Sequence, residues 1–288
     1  FLDEQYDEFI LKIKYIKYFC LRSYISQFPM SYDFVSFLNQ SISFSYPESL
    51  IAETLRLLSV LFTQQKFIYY FMGSESKDEL LSNLSSILKQ HIDPLLDILI
   101  LKNFINFSGG EIFERDMALL YLGFGDLFNF ITSPMIVQEV KYYSARLIHN
   151  YCRLKVDIST GIQVMISYND ACLSDISQDT IAELNWSIKH LGSWLEIDWI
   201  KTIKKYNMLD LIFNGFVYDN PNLTISTFYI IFQLIDFNEP IQFNFEYIKG
   251  LFEDFNNLPN VSIGCWCVEH AIKLSNQSER ANLTKEFI

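Results

Sequence analysis

The stretch SQDTIAELNWSIKHLGSWL, residues 177–195, decides how the rest of the chain is read. It is a long helical pattern opened by Ser177, and its weight comes from where it falls. Pro47, Pro94, Pro134, Pro221 and Pro259 each stand at or near the start of a similar pattern. Asp93, Ser133 and Asn220 precede three of them as N-caps. Proline suits the first helical turn, where its missing N–H would have had no partner. These five prolines lie 47, 40, 87 and 38 residues apart, and residues 177–195 fill the double interval. The result is six units of about 42 residues.

Within the units, apolar residues recur at helical spacing, as in Ile51, Leu55, Leu58 and Phe62, or Val137, Val140, Leu147 and Tyr151. Alternating runs are short, and Asn-Gly or Asp-Gly hairpin signals are absent. Each unit adds a shorter helix before the long one: DFVSFLNQSI, ELLSNLSSIL, GDLFNFI, STGIQVMISY, MLDLIFNGF and FEYIKGLFEDF. EIFERDMALLY (111–121) and EIDWIKTIKKY (196–206) read as the first helix of a three-helix unit. The period and the helix triplets predict an all-α, right-handed α-solenoid of armadillo type, each repeat packing on its neighbours. Residues 1–28 form an N-terminal cap or partial repeat, 29–275 the six repeats, and 276–288 a further repeat or C-terminal cap.

Composition narrows the function. Half of the chain is apolar and 16% aromatic, ample for a large core. With 34 acids against 22 bases the net charge is −12, which argues against nucleic-acid binding and favours a basic partner. Five irregularly spaced cysteines fit free thiols in a reducing compartment. The best apolar run, PLLDILIL (94–101), contains an acid and is too short to cross a bilayer. No Walker loop, HExxH, GxSxG or CxxC pattern occurs, so neither an enzyme, a cofactor nor a metal centre is expected. Cys265 and Cys267 lie about 200° apart around a helix and cannot chelate one ion together.

Aligning the long helices by their apolar stripes sets a second series in register: Leu55/Ser59, Leu99/Asn103, Arg146/Asn150, Trp186/His190, Tyr229/Gln233 and Trp266/His270. Residues i and i+4 lie about 40° apart on a helix, so each pair shares a face. NWSIKHL (185–191) and CWCVEHA (265–271) make this series resemble the importin-α family, whose long helices line a groove with Trp-x-x-x-Asn pairs. FERDMALLYLGFGDLFNFI (113–131) is similar to that family's Arg-Asp segment. Leu55 and Leu99 depart from it, standing where the family's principal cargo site has tryptophan.

The resemblance implies a non-enzymatic nuclear-import adaptor of cytoplasm and nucleus. Its partner would be an extended Lys/Arg-rich nuclear localisation signal. An importin-β-type carrier would act through an N-terminal segment that this chain, opening at Phe1 rather than Met, does not include. The peptide-binding residues on this reading are Asn103, Arg146, Asn150, Glu183, Trp186, His190, Tyr229, Gln233, Trp266 and His270. Parallel indoles would form slots for the alkyl stems of Lys and Arg, with Glu183 as the groove acid. The alternative is a diverged armadillo or HEAT scaffold for an unrelated protein, with these aromatics in the core.

Overall fold

A computed structural model describes residues 2–21, 31–42, 46–218, 220–237, 248–249, 251–252 and 258–274. The predicted cap or further repeat at 276–288 lies outside them, as does most of FEYIKGLFEDF (245–255). Every regular element among the described residues is helical, and the chain divides into two compact units, Phe1–Tyr151 and Cys152–Ile288.

The first unit holds α1 (Leu2–Leu21), α2 (Tyr32–Gln40), α3 (Glu48–Leu61), α4 (Gln65–Gly73), α5 (Lys77–Gln90), α6 (Pro94–Ser108), α7 (Ile112–Tyr121) and α8 (Phe124–Thr132). Helix α9 (Gln138–Cys152) closes it, with its last residue, Cys152, already in the second unit. The helices α4–α5–α6 and α7–α8–α9 are two complete triplets, each ending in a long member. Helix α6 is apolar almost all round and is buried accordingly. Phe62 at the end of α3, Phe71 of α4 and Phe107 of α6 meet with ring centroids 5.1–5.2 Å apart, which ties α3 and α4 to α6.

Of the four helix starts marked in the sequence by a cap residue, three are capped as expected. Asp93 accepts from Leu95 N ahead of Pro94, and Asn220 Oδ1 accepts from Leu223 N ahead of Pro221. Ser177 accepts from Thr180 N without a proline. Ser133, however, does not cap α9: its Oγ accepts from Met135 N in a turn, and the helix begins at Gln138.

The second unit holds α10 (Ile158–Cys172), α11 (Gln178–Leu195), α12 (Ile197–Lys205), α13 (Met208–Phe213), α14 (Pro221–Asp236) and α15 (Leu258–Leu274). A buried polar chain fixes the first three layers. Tyr168 of α10 donates to Asn185 Oδ1 at 2.8 Å, and Asn185 Nδ2 donates to Thr227 Oγ1 of α14 at 3.0 Å. Each group is thereby satisfied inside an apolar interior, where an orphan would be costly. Trp199 of α12 is fully buried, with Nε1 donating to Ile188 O at 2.9 Å. Helices α11 and α14 approach closely at Gly192, where a Cβ would stand 2.8 Å from Gln233 Cδ. Glycine there leaves room for the Gln233 side chain to lie across α11.

Candidate functional site

The long helices carry the predicted series, and the two units present it differently. In the first unit Leu55 and Leu99 are buried, and Asn103 is 0% exposed. Asn103 Nδ2 donates to Leu55 O at 3.0 Å and to Leu99 O at 2.8 Å, tying α6 to α3 from within. Its Oδ1 is buried without a hydrogen bond. The half-exposed pair on α6 sits three residues on, at Lys102 and Asn106. Asn106 Nδ2 donates to Ser59 O and Oγ at 2.9 and 3.0 Å. Because α6 is apolar on nearly every side, its pattern offered no single stripe to align. On α9, Arg146 is exposed, and half-buried Asn150 donates through Nδ2 to Ile105 O at 3.0 Å.

In the second unit the predicted aromatics come together. Trp186 of α11 and Tyr229 of α14 lie with ring centroids 5.3 Å apart. Trp266 of α15 meets Phe228 and Phe232 of α14 at 5.0 and 5.4 Å. Tyr229 and Phe232 are 43% and 39% exposed, so the cluster faces outward along α14. An alkyl stem between two ring planes needs roughly 7–8 Å, twice the carbon–carbon contact distance. Rings this close touch each other instead. The expected slots are replaced by a continuous aromatic stripe.

The polar partners follow. With its amide oriented to suit its neighbours, Gln233 donates from Nε2 to Lys189 O at 2.8 Å and accepts at Oε1 from Ser193 N at 3.0 Å. His270 stacks on Trp266 at 3.9 Å, with Nδ1 3.0 Å from Trp266 O. His190 and Glu183 are half-buried on α11, Glu183 one turn ahead of Trp186. Asp236 is exposed one turn beyond Gln233, while Glu269 is paired to Lys273 at 2.6 Å.

Three aromatics of this region escaped sequence reasoning: Phe228, Phe232 and Trp194. Trp194 is 40% exposed and donates from Nε1 to Cys152 O at 3.3 Å. It stands eight residues beyond Trp186, two i+4 steps along the same face, which was the available signal. The phenylalanines gave none, because a chain with 26 of them marks no single one out.

Among the described residues no cluster of three or more His, Cys, Asp or Glu side chains is placed to hold a metal ion. Cys265 is exposed and Cys267 buried, and burial pushes the Cys267 thiol up to about 12. No helix among the described residues is long and apolar enough to cross a membrane.

No family model and no curated protein matches the chain. Solved structures do. A designed armadillo-repeat protein in complex with the peptide (KR)4 is 15% identical, with a TM-score of 0.58 over 86% of this chain and 95% of that one. The fold is that of an armadillo-repeat protein. A second design of this class is 11% identical, with a TM-score of 0.56 over 68% of this chain and 80% of that one. An engineered protein aligns with 14% identity and a TM-score of 0.60 over 80% of this chain and 96% of its own. Among the described residues, complete helix triplets end in α6, α9 and α14, and these with α3, α11 and α15 are the long helices that carry the polar and aromatic series.

Proposed function

We propose that this chain is a non-enzymatic armadillo scaffold that binds an extended basic peptide along the aromatic stripe of its second unit. One observation carries the reading: Trp186, Tyr229, Phe228, Phe232 and Trp266 form a run of touching rings across three successive long helices, exposed at Tyr229 and Phe232. The alkyl stem of Lys or Arg lies across such a surface while its cation meets a ring face, at about 0.5–2 kcal/mol per contact. Glu183 and Asp236 add negative charge beside it. The stripe takes the stems on its outer surface rather than between rings. The designed neighbour solved with (KR)4 supports a basic peptide as the ligand class.

The narrower role, a nuclear-import adaptor of cytoplasm and nucleus with an importin-β-type carrier, is supported by the Trp-x-x-x-His resemblance alone. A fluorescent fusion found in one compartment only would count against it. The closing of the slots favours a second reading, an armadillo scaffold whose partner segment is apolar rather than basic. Titration of a labelled Lys/Arg-rich nuclear localisation peptide into the chain and into Trp186→Ala/Trp266→Ala separates these. Saturable binding, weakened in the double variant and by added salt, is expected. Equal binding by both proteins, or competition by an uncharged aliphatic peptide as strong as by the basic one, would refute the basic-peptide reading.

A further inference from the structure

The long-helix face of the first unit has the opposite chemistry. Lys102 on α6 and Arg146 on α9 stand 44 residues apart in sequence, as do the amides Asn106 and Asn150 that follow each by four. Lys102 Nζ lies 4.6 Å from the centre of the Tyr143 ring, and Tyr143 is one turn from Arg146. The two cations are thereby neighbours on adjacent helices. Lys102 is half-buried, Arg146 is exposed, and neither makes an ion pair among the described residues. On α3, Arg56 continues the row one turn before Ser59. Its acid, Glu53, is shared with Lys17 at 2.9 Å, so that cluster also carries one excess positive charge. In a chain of net charge −12, a row with excess positive charge on one face is a local inversion of sign.

From this row we infer that the first unit binds an extended acidic segment of a partner protein. Charge complementarity selects the ligand. The amides suit an extended backbone: Asn150 keeps one N–H and its Oδ1 for a peptide group, and Asn106 keeps its Oδ1. Spacing refines the motif. Packed long helices stand about 10 Å apart. A polyproline-II strand rises about 3.1 Å per residue with three residues per turn, so residues i and i+3 share a face about 9 Å apart. Acids at that spacing, Glu-x-x-Glu, place one carboxylate at Lys102 and the next at Arg146.

The test uses the full chain and a labelled peptide carrying Glu-x-x-Glu repeats. We expect saturable binding that falls at least about tenfold in Lys102→Glu/Arg146→Glu and severalfold in the neutral Lys102→Gln/Arg146→Gln. It should weaken as salt rises and persist in Trp186→Ala/Trp266→Ala, which separates this face from the aromatic stripe. Circular dichroism confirms that the surface variants are folded. Absent binding, or equal binding by parent and charge-reversed variant, would overturn the inference. So would preference for a single-stranded oligonucleotide. A dimer seen by sedimentation without peptide and dissolved by the charge reversal would assign the face to a second copy instead.

Discussion

Asn103 and Asn106 are one turn apart on α6 and have different jobs. Asn103 is buried and stitches α6 to the carbonyl of Leu55, whereas Asn106 reaches Ser59 from a half-exposed position. Asn103→Ala should cost about 1–3 kcal/mol in chemical denaturation, while Asn106→Ala should cost under about 1 kcal/mol. Similar costs would show that burial does not separate them. Asp97 provides a second check at this scale. Burial holds its carboxyl above the ordinary 3.8, against the pull of His91 at 2.9 Å. Between 3.8 and that raised value the folded chain keeps a proton that the unfolded chain has lost. This group's contribution to stability therefore falls as pH rises through the window. Urea midpoints of the parent should drop relative to Asp97→Asn across it, and parallel pH profiles would contradict the assignment. Trp186, Tyr229 and Trp266 were legible because large aromatics recurred at the repeat period. The Asn103/Asn106 choice was not, since a helix apolar on nearly every side hides which side faces out.

At the scale of helices, capping was legible at Asp93, Ser177 and Asn220 and misleading at Ser133, and the cap at Asp157 went unread. Asp157 opens α10, accepting from Thr160 N and Oγ1 and from Ser159 Oγ, and these bonds lower its pKa to about 2. Asp157→Ala should cost about 1 kcal/mol. The carboxylate's contribution is complete above 3.8 and fades as pH falls through about 2, so parent and variant should converge in acid. A gap that persists unchanged in strong acid would argue against the cap. Helix α4, QKFIYYFMG, escaped notice because no side chain caps its start and its aromatics crowd every face. Packing between helices adds its own test. Gly192→Ala should displace Gln233 from Lys189 and Ser193, and Gly192→Ala/Gln233→Ala should recover stability relative to the single change. Additive losses would mean the two positions do not meet.

At the scale of the molecule, the repeat length carried the fold: prolines and one serine at about 42-residue intervals, with helix triplets between, sufficed for an armadillo reading. The same regularity read as one unbroken array, and nothing in composition marked the division at Tyr151 and Cys152. Stacked repeats draw stability mainly from nearest neighbours. Phe107→Ala, expected to cost about 3–5 kcal/mol, should therefore speed amide hydrogen exchange in α3, α4 and α6 and leave α11 and α14 near parental values. Uniform acceleration would show a single cooperative unit.

The contact at Gly192 also bears on how related sequences must vary. The amide of Gln233 crosses α11 through the space a Cβ at 192 would need, 2.8 Å away, so a larger residue there makes the amide move aside and give up its bonds to α11. The constraint runs one way: position 233 can shorten alone, whereas enlarging 192 forces a response at 233. In natural relatives of this chain, a residue larger than glycine at 192 should appear together with a shorter side chain at 233.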